Sequence, residues 1–108
     1  MADVIRYAHP AEQFVYTMDF QDVLPSADAT LLDIGLGSTI DAVNSAKVAV
    51  TDILKSKTRT TKTLKVTFQL LAEGEEYTVT FLGQGTTSGE RFPKTLRLIV
   101  RRDLTGEF

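Results

Sequence analysis

Several residue types that often carry function are scarce or missing in this chain. It contains no cysteine and no tryptophan, and it has one histidine among its 108 residues. The lack of cysteine excludes disulfides and thiolate metal sites, and it agrees with a reducing compartment. No stretch reaches the roughly 18 apolar residues of a membrane span. Residues 1–13 lack an apolar signal segment, so we expect synthesis in the cytoplasm without secretion.

The titratable residues do not form a recognisable catalytic or metal-binding set. His9 stands beside Pro10 in a polar stretch, where a general base would not be held in place. A metal site built on this single histidine would need carboxylates for nearly all of its ligands. Glu73, Glu75 and Glu76 cluster in a predicted turn, where they are expected to face water. The sequence therefore predicts no catalytic residue, no metal ligand and no enzymatic activity.

The glycine-rich segments lack the spacing of a phosphate-binding loop. Gly83, Gly85 and Gly89 do not match the dinucleotide-binding pattern, no lysine follows the last glycine, and a strand comes next. The pair Gly35 and Gly37 lacks a third glycine. Ordinary loops explain both segments, so we expect no cofactor and no small-molecule substrate.

Charge is unevenly distributed between the two halves of the chain. Residues 1–54 carry a net charge of −6 and residues 55–108 a net charge of +4. The split suits either neighbouring acidic and basic strands or two faces that meet different partners. Ordinary solvated charge also explains it, since exposed ion pairs contribute only about 0 to 1 kcal/mol each.

One basic string is the only feature that suggests nucleic-acid binding. Its members are Lys55, Lys57, Arg59, Lys62 and Lys65. No aromatic residue lies among them, and single-strand binding sites normally stack bases on aromatic rings. We therefore do not expect nucleic acid as a partner.

Alternation of apolar and polar side chains with a period of two predicts several strands. The segment from Leu64 to Leu70 alternates clearly, and the pattern resumes at Tyr77 after Glu73-Gly74-Glu75. We predict a hairpin that turns at 73–75, then a third strand over 96–100. An earlier strand is predicted over 14–20. The apolar positions expected to face the core are Phe14, Tyr16, Met18, Phe20, Leu64, Val66, Phe68, Leu70, Tyr77, Val79, Phe81, Leu96, Leu98 and Val100.

The remaining segments are harder to assign. Residues 38–54 fit either a helix or strands. A helix could begin at Ser38 and Asp41, which form a capping pair. Strands are favoured by the alternation over 45–52, by the turn-forming residues Asn44 and Ser45 and by the frequency of Val and Thr. An apolar run follows the loop around Pro25, over 30–34. Residues 55–65 are predicted to begin as an exposed loop, and residues 83–92 to form a long hairpin loop.

These elements together predict one all-β domain. At 108 residues the chain is large enough to form a single hydrophobic core without disulfides or metal ions. The spacing of strands and turns is typical of an immunoglobulin-like antiparallel β-sandwich of about seven strands. We predict an N-terminal arm over 1–13, the sandwich over 14–102 and a tail over 103–108. Seven aromatic residues could suggest a sugar-binding face, but all except Phe92 share the inward register, so we assign them to the core.

The order of motifs resembles a family of small immunoglobulin-like β-sandwich proteins encoded by tailed phages and prophages. The similarity runs through HPAEQFVYTMDFQDVLPSADATLLDI, GEEYTVTF, the TTSGER loop and KTLRLIVR, covering roughly residues 9–102. Phe20 stands where the family often has tryptophan. The matching positions are Tyr16, Asp19, Phe20, Leu24, Gly74, Glu75, Tyr77, Val79, Thr80, Thr87, Ser88, Gly89, Leu96 and Leu98.

The resemblance implies a non-enzymatic virion structural or assembly protein of the head-tail joining or tail region. Its implied partners are other virion proteins and copies of itself, with no membrane partner. It would be made in the cytoplasm of the bacterial host and end in the virion. An alternative function is a stand-alone binding module that recognises a host surface or glycan through loops 83–92 and 55–62.

Overall fold

Two β-sheets build the protein. The computed structural model describes residues 4–26 and 28–102, and this part of the chain contains strands but no helix. The strands are β1 (Val4–Ala8), β2 (Phe14–Asp19), β3 (Thr39–Val43), β4 (Ala49–Val50), β5 (Leu54–Thr60), β6 (Thr63–Phe68), β7 (Glu76–Gln84) and β8 (Arg91–Val100). The larger sheet has the order β1-β8-β7-β3-β4 and the smaller sheet the order β2-β6-β5. The predicted all-β sandwich is confirmed at this level.

Side chains from both sheets meet in one hydrophobic core. Phe68 of the smaller sheet and Phe81 of the larger sheet are completely buried. The ring centroids of Tyr16 on β2 and Phe81 on β7 lie 5.9 Å apart, which places the two sheets face to face. Strand alternation explains this core, because side chains separated by two residues share a face. The aromatic residues assigned to the core do lie in it or pack against it.

The predicted hairpin around residues 73–75 is wrong, although both of its strands exist. β6 pairs with β2 and β5, whereas β7 pairs with β8 and β3. The turn therefore carries the chain from one sheet to the other. Leu70 ends the alternation: its φ is 52° and its side chain is 67 % exposed, and Leu71 is buried in its place. The hairpin of this region is β7-β8, whose register runs from Glu76↔Ile99 to Gln84↔Arg91.

The segment over 55–65 is not the loop predicted for its first half. β5 pairs antiparallel with β6 and contains a bulge between Leu54 and Ser56. Threonine favours extended backbone, and an edge strand tolerates lysine because its side chains reach solvent. Charge patterning alone therefore misassigned a strand as a connection.

Residues 38–54 form two short strands, so the helical alternative is wrong. β3 and β4 are joined by a turn at which Asn44 Oδ1 accepts the N–H groups of Ala46 and Val48 at 2.9 and 3.1 Å. Lys47 has a φ of 63°, which breaks the alternation predicted for 45–52. The turn chemistry of Asn44 outweighs the apolar pattern here.

The N-terminal segment departs from the predicted arm. Val4–Ala8 is the outermost strand of the larger sheet and pairs in parallel with β8, so this sheet is not purely antiparallel. Residues 1–3 of the arm and the tail over 103–108 lie outside the described residues. The apolar run over 30–34 forms only isolated bridges, Leu31↔Gly85 and Ile34↔Ser38. The immunoglobulin-like topology stays a prediction.

Candidate interaction edges

The sandwich has four sheet edges, and they differ in what they expose. β1 and β4 border the larger sheet, and β2 and β5 border the smaller one. The guanidinium carbon of Arg6 on β1 lies 4.0 Å from the ring centroid of Phe14 on β2, so these two edges lie on the same side of the molecule. β4 has only two residues, and among the longer edge strands β1 and β5 differ most in the charge that they carry.

The β1 edge, defined as Val4–Ala8, exposes apolar side chains. Ile5 is 51 % exposed and Tyr7 is 40 % exposed. Their partners in the register, Arg97 and Ile99, place both side chains on the outer face of the larger sheet. The strand contains no lysine, no proline and no bulge, each of which protects many exposed edges, and its single charged residue is Arg6. In the described residues no further strand pairs with its outer side.

The basic edge, defined as Lys55, Lys57 and Arg59 on β5, has the opposite character. Lys55 lies at the bulge, and Lys57 is exposed. Arg59 Nε lies 4.0 Å from Asp33 Oδ1, the limit of an ion pair. Because β5 is the outermost strand of its sheet, these charges border a row of backbone groups that face away from β6.

A buried carboxylate holds the loop between β7 and β8. Asp28 is 1 % exposed. Its Oδ1 accepts the N–H groups of Thr87 and Ser88 at 2.7 and 2.8 Å, and its Oδ2 accepts the Ser88 hydroxyl at 2.6 Å. These hydrogen bonds, first that of the Ser88 hydroxyl, lower the pKa of Asp28. Both oxygens are used, so the carboxylate acts as a structural clamp.

The Asp28 clamp explains why residue 85 is a glycine, which the sequence alone assigns to an ordinary loop. A Cβ on Gly85 would lie 2.2 Å from Asp28 Oδ2, so the hairpin passes the carboxylate with no room for a side chain. Gly83 lies inside β7, where a Cβ would lie 3.0 Å from Leu31 and 3.1 Å from Phe20. Sequence reasoning missed Asp28 because an aspartate after Pro25 and Ser26 is typical of an exposed turn.

The other titratable residues singled out in the sequence are held by separate partners. His9 Nδ1 accepts the N–H of Ala11 at 3.0 Å. Glu75 Oε1 accepts the N–H of Ser45 at 3.0 Å, and this hydrogen bond is the main cause that lowers the pKa of Glu75. Glu73 and Glu76 pair with arginines of the C-terminal strand region, Arg102 and Arg97. The structure does not bring these groups together.

In the described part of the chain, no three His, Asp or Glu side chains are grouped as a metal site requires. No helix that could cross a membrane is found among the same residues.

The chain was also compared with family models, with curated proteins and with solved structures, and none of the three comparisons found a match.

Proposed function

We propose that this chain is a non-enzymatic structural or assembly protein of a tailed phage or prophage virion, in the head-tail joining or tail region. The order of motifs described above suggests this class, and the β1 edge is the observation that carries the proposal. An edge with three exposed apolar residues, Val4, Ile5 and Tyr7, is costly for a protein that stays alone. It suits a protein that works through contacts with other chains.

The β1 strand of a second copy can pair antiparallel with the β1 edge. In an antiparallel pair centred on Arg6, Ile5 of one copy lies opposite Tyr7 of the other, and Val4 lies opposite Ala8. Such pairing is self-complementary and creates two equivalent apolar cross-strand contacts on the outer face. Arg6 is no obstacle, because its guanidinium covers Phe14 and Glu12 Oε2 lies 3.8 Å from its Nη2.

The contacts of the titratable residues support a non-enzymatic role. His9, Glu73, Glu75 and Glu76 are each held by separate hydrogen bonds or ion pairs. The proposed partners are copies of the chain and other virion proteins. The proposed location is the virion after assembly and the host cytoplasm before it.

A loop-based binding module has less support. Most of the segment over 55–62 is strand β5, and the loop over 85–90 is tied down by Asp28. Neither segment offers the free loops that such a module would use.

Sedimentation equilibrium of the full chain tests the proposal. The parent protein is expected to self-associate, and the double variant Ile5→Thr with Tyr7→Thr to weaken association about tenfold, since two apolar cross-strand contacts are lost. Threonine keeps the strand preference. Val15→Thr is the matched control, because Val15 is 61 % exposed on a different edge strand. A parent that stays monomeric, or a double variant that associates as the parent does, would contradict the proposal.

A further inference from the structure

We propose that the basic edge binds an extended acidic segment of a partner protein, which joins the smaller sheet as a fourth strand beside β5. This inference rests on the proposed function, because it names the chemistry of one partner of an assembly protein. The β1 edge and the basic edge belong to different sheets, so the two contacts can form independently.

The first observation is an open, seven-residue strand. β5 spans Leu54–Thr60 and pairs with β6 alone in the described part of the chain. Backbone groups of an outermost strand that point away from the sheet can hydrogen-bond to an added strand, and many peptide-binding domains use this mode. The length is sufficient, since strands of five or six residues are typical.

The second observation is uncompensated positive charge. Among the described residues, Lys55 and Lys57 form no ion pair, and Arg59 has only the long contact with Asp33. Lys62 and Lys65 add positive charge to the adjoining turn and strand. Lys57 and Arg59 are two residues apart, so their side chains repeat along β5 at about 6.6 to 6.8 Å. A segment with acidic residues at every second position has the same repeat.

Charge complementarity selects this occupant over other strands. Lysines and a bulge discourage pairing with a neutral or basic strand, which is their usual protective effect on an edge. The same lysines attract an acidic strand, because opposite charges across neighbouring strands stabilise the pair. The edge is therefore selective. Nucleic acid is disfavoured, since residues 54–67 contain no aromatic side chain for base stacking.

The test is a titration of the ¹⁵N-labelled full chain with a short peptide that alternates glutamate and threonine. Amide shifts are expected along β5, with an affinity about tenfold higher than that of the matching glutamine peptide. Lys55→Gln with Lys57→Gln should reduce this preference. Lys47→Gln, which removes an exposed lysine from the β3-β4 turn, should leave it unchanged. A peptide N-methylated at every residue should bind weakly, because neither edge of its backbone can donate.

Other results would overturn the inference. Equal binding of the glutamate and glutamine peptides would show that charge complementarity does not determine binding. Equal binding of the N-methylated peptide would show simple polyelectrolyte attraction without strand addition. Displacement of the acidic peptide by a single-stranded oligonucleotide of higher affinity would assign the edge to nucleic acid. Absence of shifts in β5 would refute this contact while leaving the sedimentation result for the β1 edge intact.

Discussion

Asp28 and Ser88 are joined by two hydrogen bonds that tie the long β2-β3 connection to the β7-β8 hairpin. Asp28 accepts the Ser88 N–H through Oδ1 at 2.8 Å and the Ser88 hydroxyl through Oδ2 at 2.6 Å. The residues are sixty positions apart in sequence, so the contact joins two distant segments of the chain. Hydrogen bonds to a carboxylate are stronger than neutral ones, and backbone hydrogen bonds from Leu32 to Gln84 and from Thr86 to Thr30 join the same two segments.

The ionised Asp28 carboxylate should make the stability of the folded protein depend on pH. Because the pKa of Asp28 is lowered from 3.8 in the folded protein, its contribution is fully present above that unfolded-state value and is lost as pH falls through the lower folded-state pKa. Thermal unfolding should therefore shift to lower temperature between about pH 5 and about pH 2. In Asp28→Asn, the part of this shift that belongs to Asp28 should disappear, and the amides of Thr87 and Ser88 should exchange faster at neutral pH.

Gly85→Ala should destabilise the protein by crowding the same carboxylate. The new Cβ would lie 2.2 Å from Asp28 Oδ2, so the clamp must shift, at a cost of about 1 to 3 kcal/mol in the free energy of unfolding. Urea unfolding measures this cost. In a double-mutant cycle, Asp28→Ala should remove most of the effect of Gly85→Ala. Strictly additive effects on the free energy of unfolding would mean that the two positions are not coupled.

Leu70→Asn should stabilise the protein. Leu70 combines a φ of 52° with a side chain that is 67 % exposed, and asparagine adopts this left-handed conformation more readily. The expected gain is about 1 kcal/mol, measured by urea unfolding. Leu36→Asn is the control, since Leu36 is 75 % exposed without a positive φ. It should change stability by no more than about 0.5 kcal/mol.

Phe68→Ala should remove a large share of the free energy of unfolding. Phe68 is completely buried, and its ring centroid lies 5.3 Å from that of Phe14. Removal of the ring should cost about 3 to 5 kcal/mol, out of the roughly 5 to 15 kcal/mol that such domains have. The urea midpoint should fall while the slope of the transition is kept. Val15→Ala, at an exposed position, should change the midpoint little.

The sequence predicted the strands better than their pairing, for a physical reason. Alternation at Phe68 and Tyr77 identifies the buried face of each strand, because it reflects burial directly. Which strand lies beside which depends on the chain path between them, and Leu70 redirects that path through its own backbone angle. No pattern of apolar residues contains this information.

The interaction edges were partly visible in the sequence, whereas the clamp was not. Lys57 and Arg59 stood out by charge, but their place on a strand required knowledge of its pairing with β6. Ile5 and Tyr7 were assigned to an arm because the parallel pairing with β8 joins opposite ends of the chain. Asp28 gains its role only from a loop sixty residues away, and a short window of sequence cannot show such a contact.

The most direct test of the account is mass spectrometry of phage particles purified by density gradient from the strain that encodes this chain. We expect the chain in the particle fraction, at a constant ratio to capsid or tail proteins across the gradient. Its complete recovery in the soluble fraction, apart from particles that contain those proteins, would contradict a structural role in the virion.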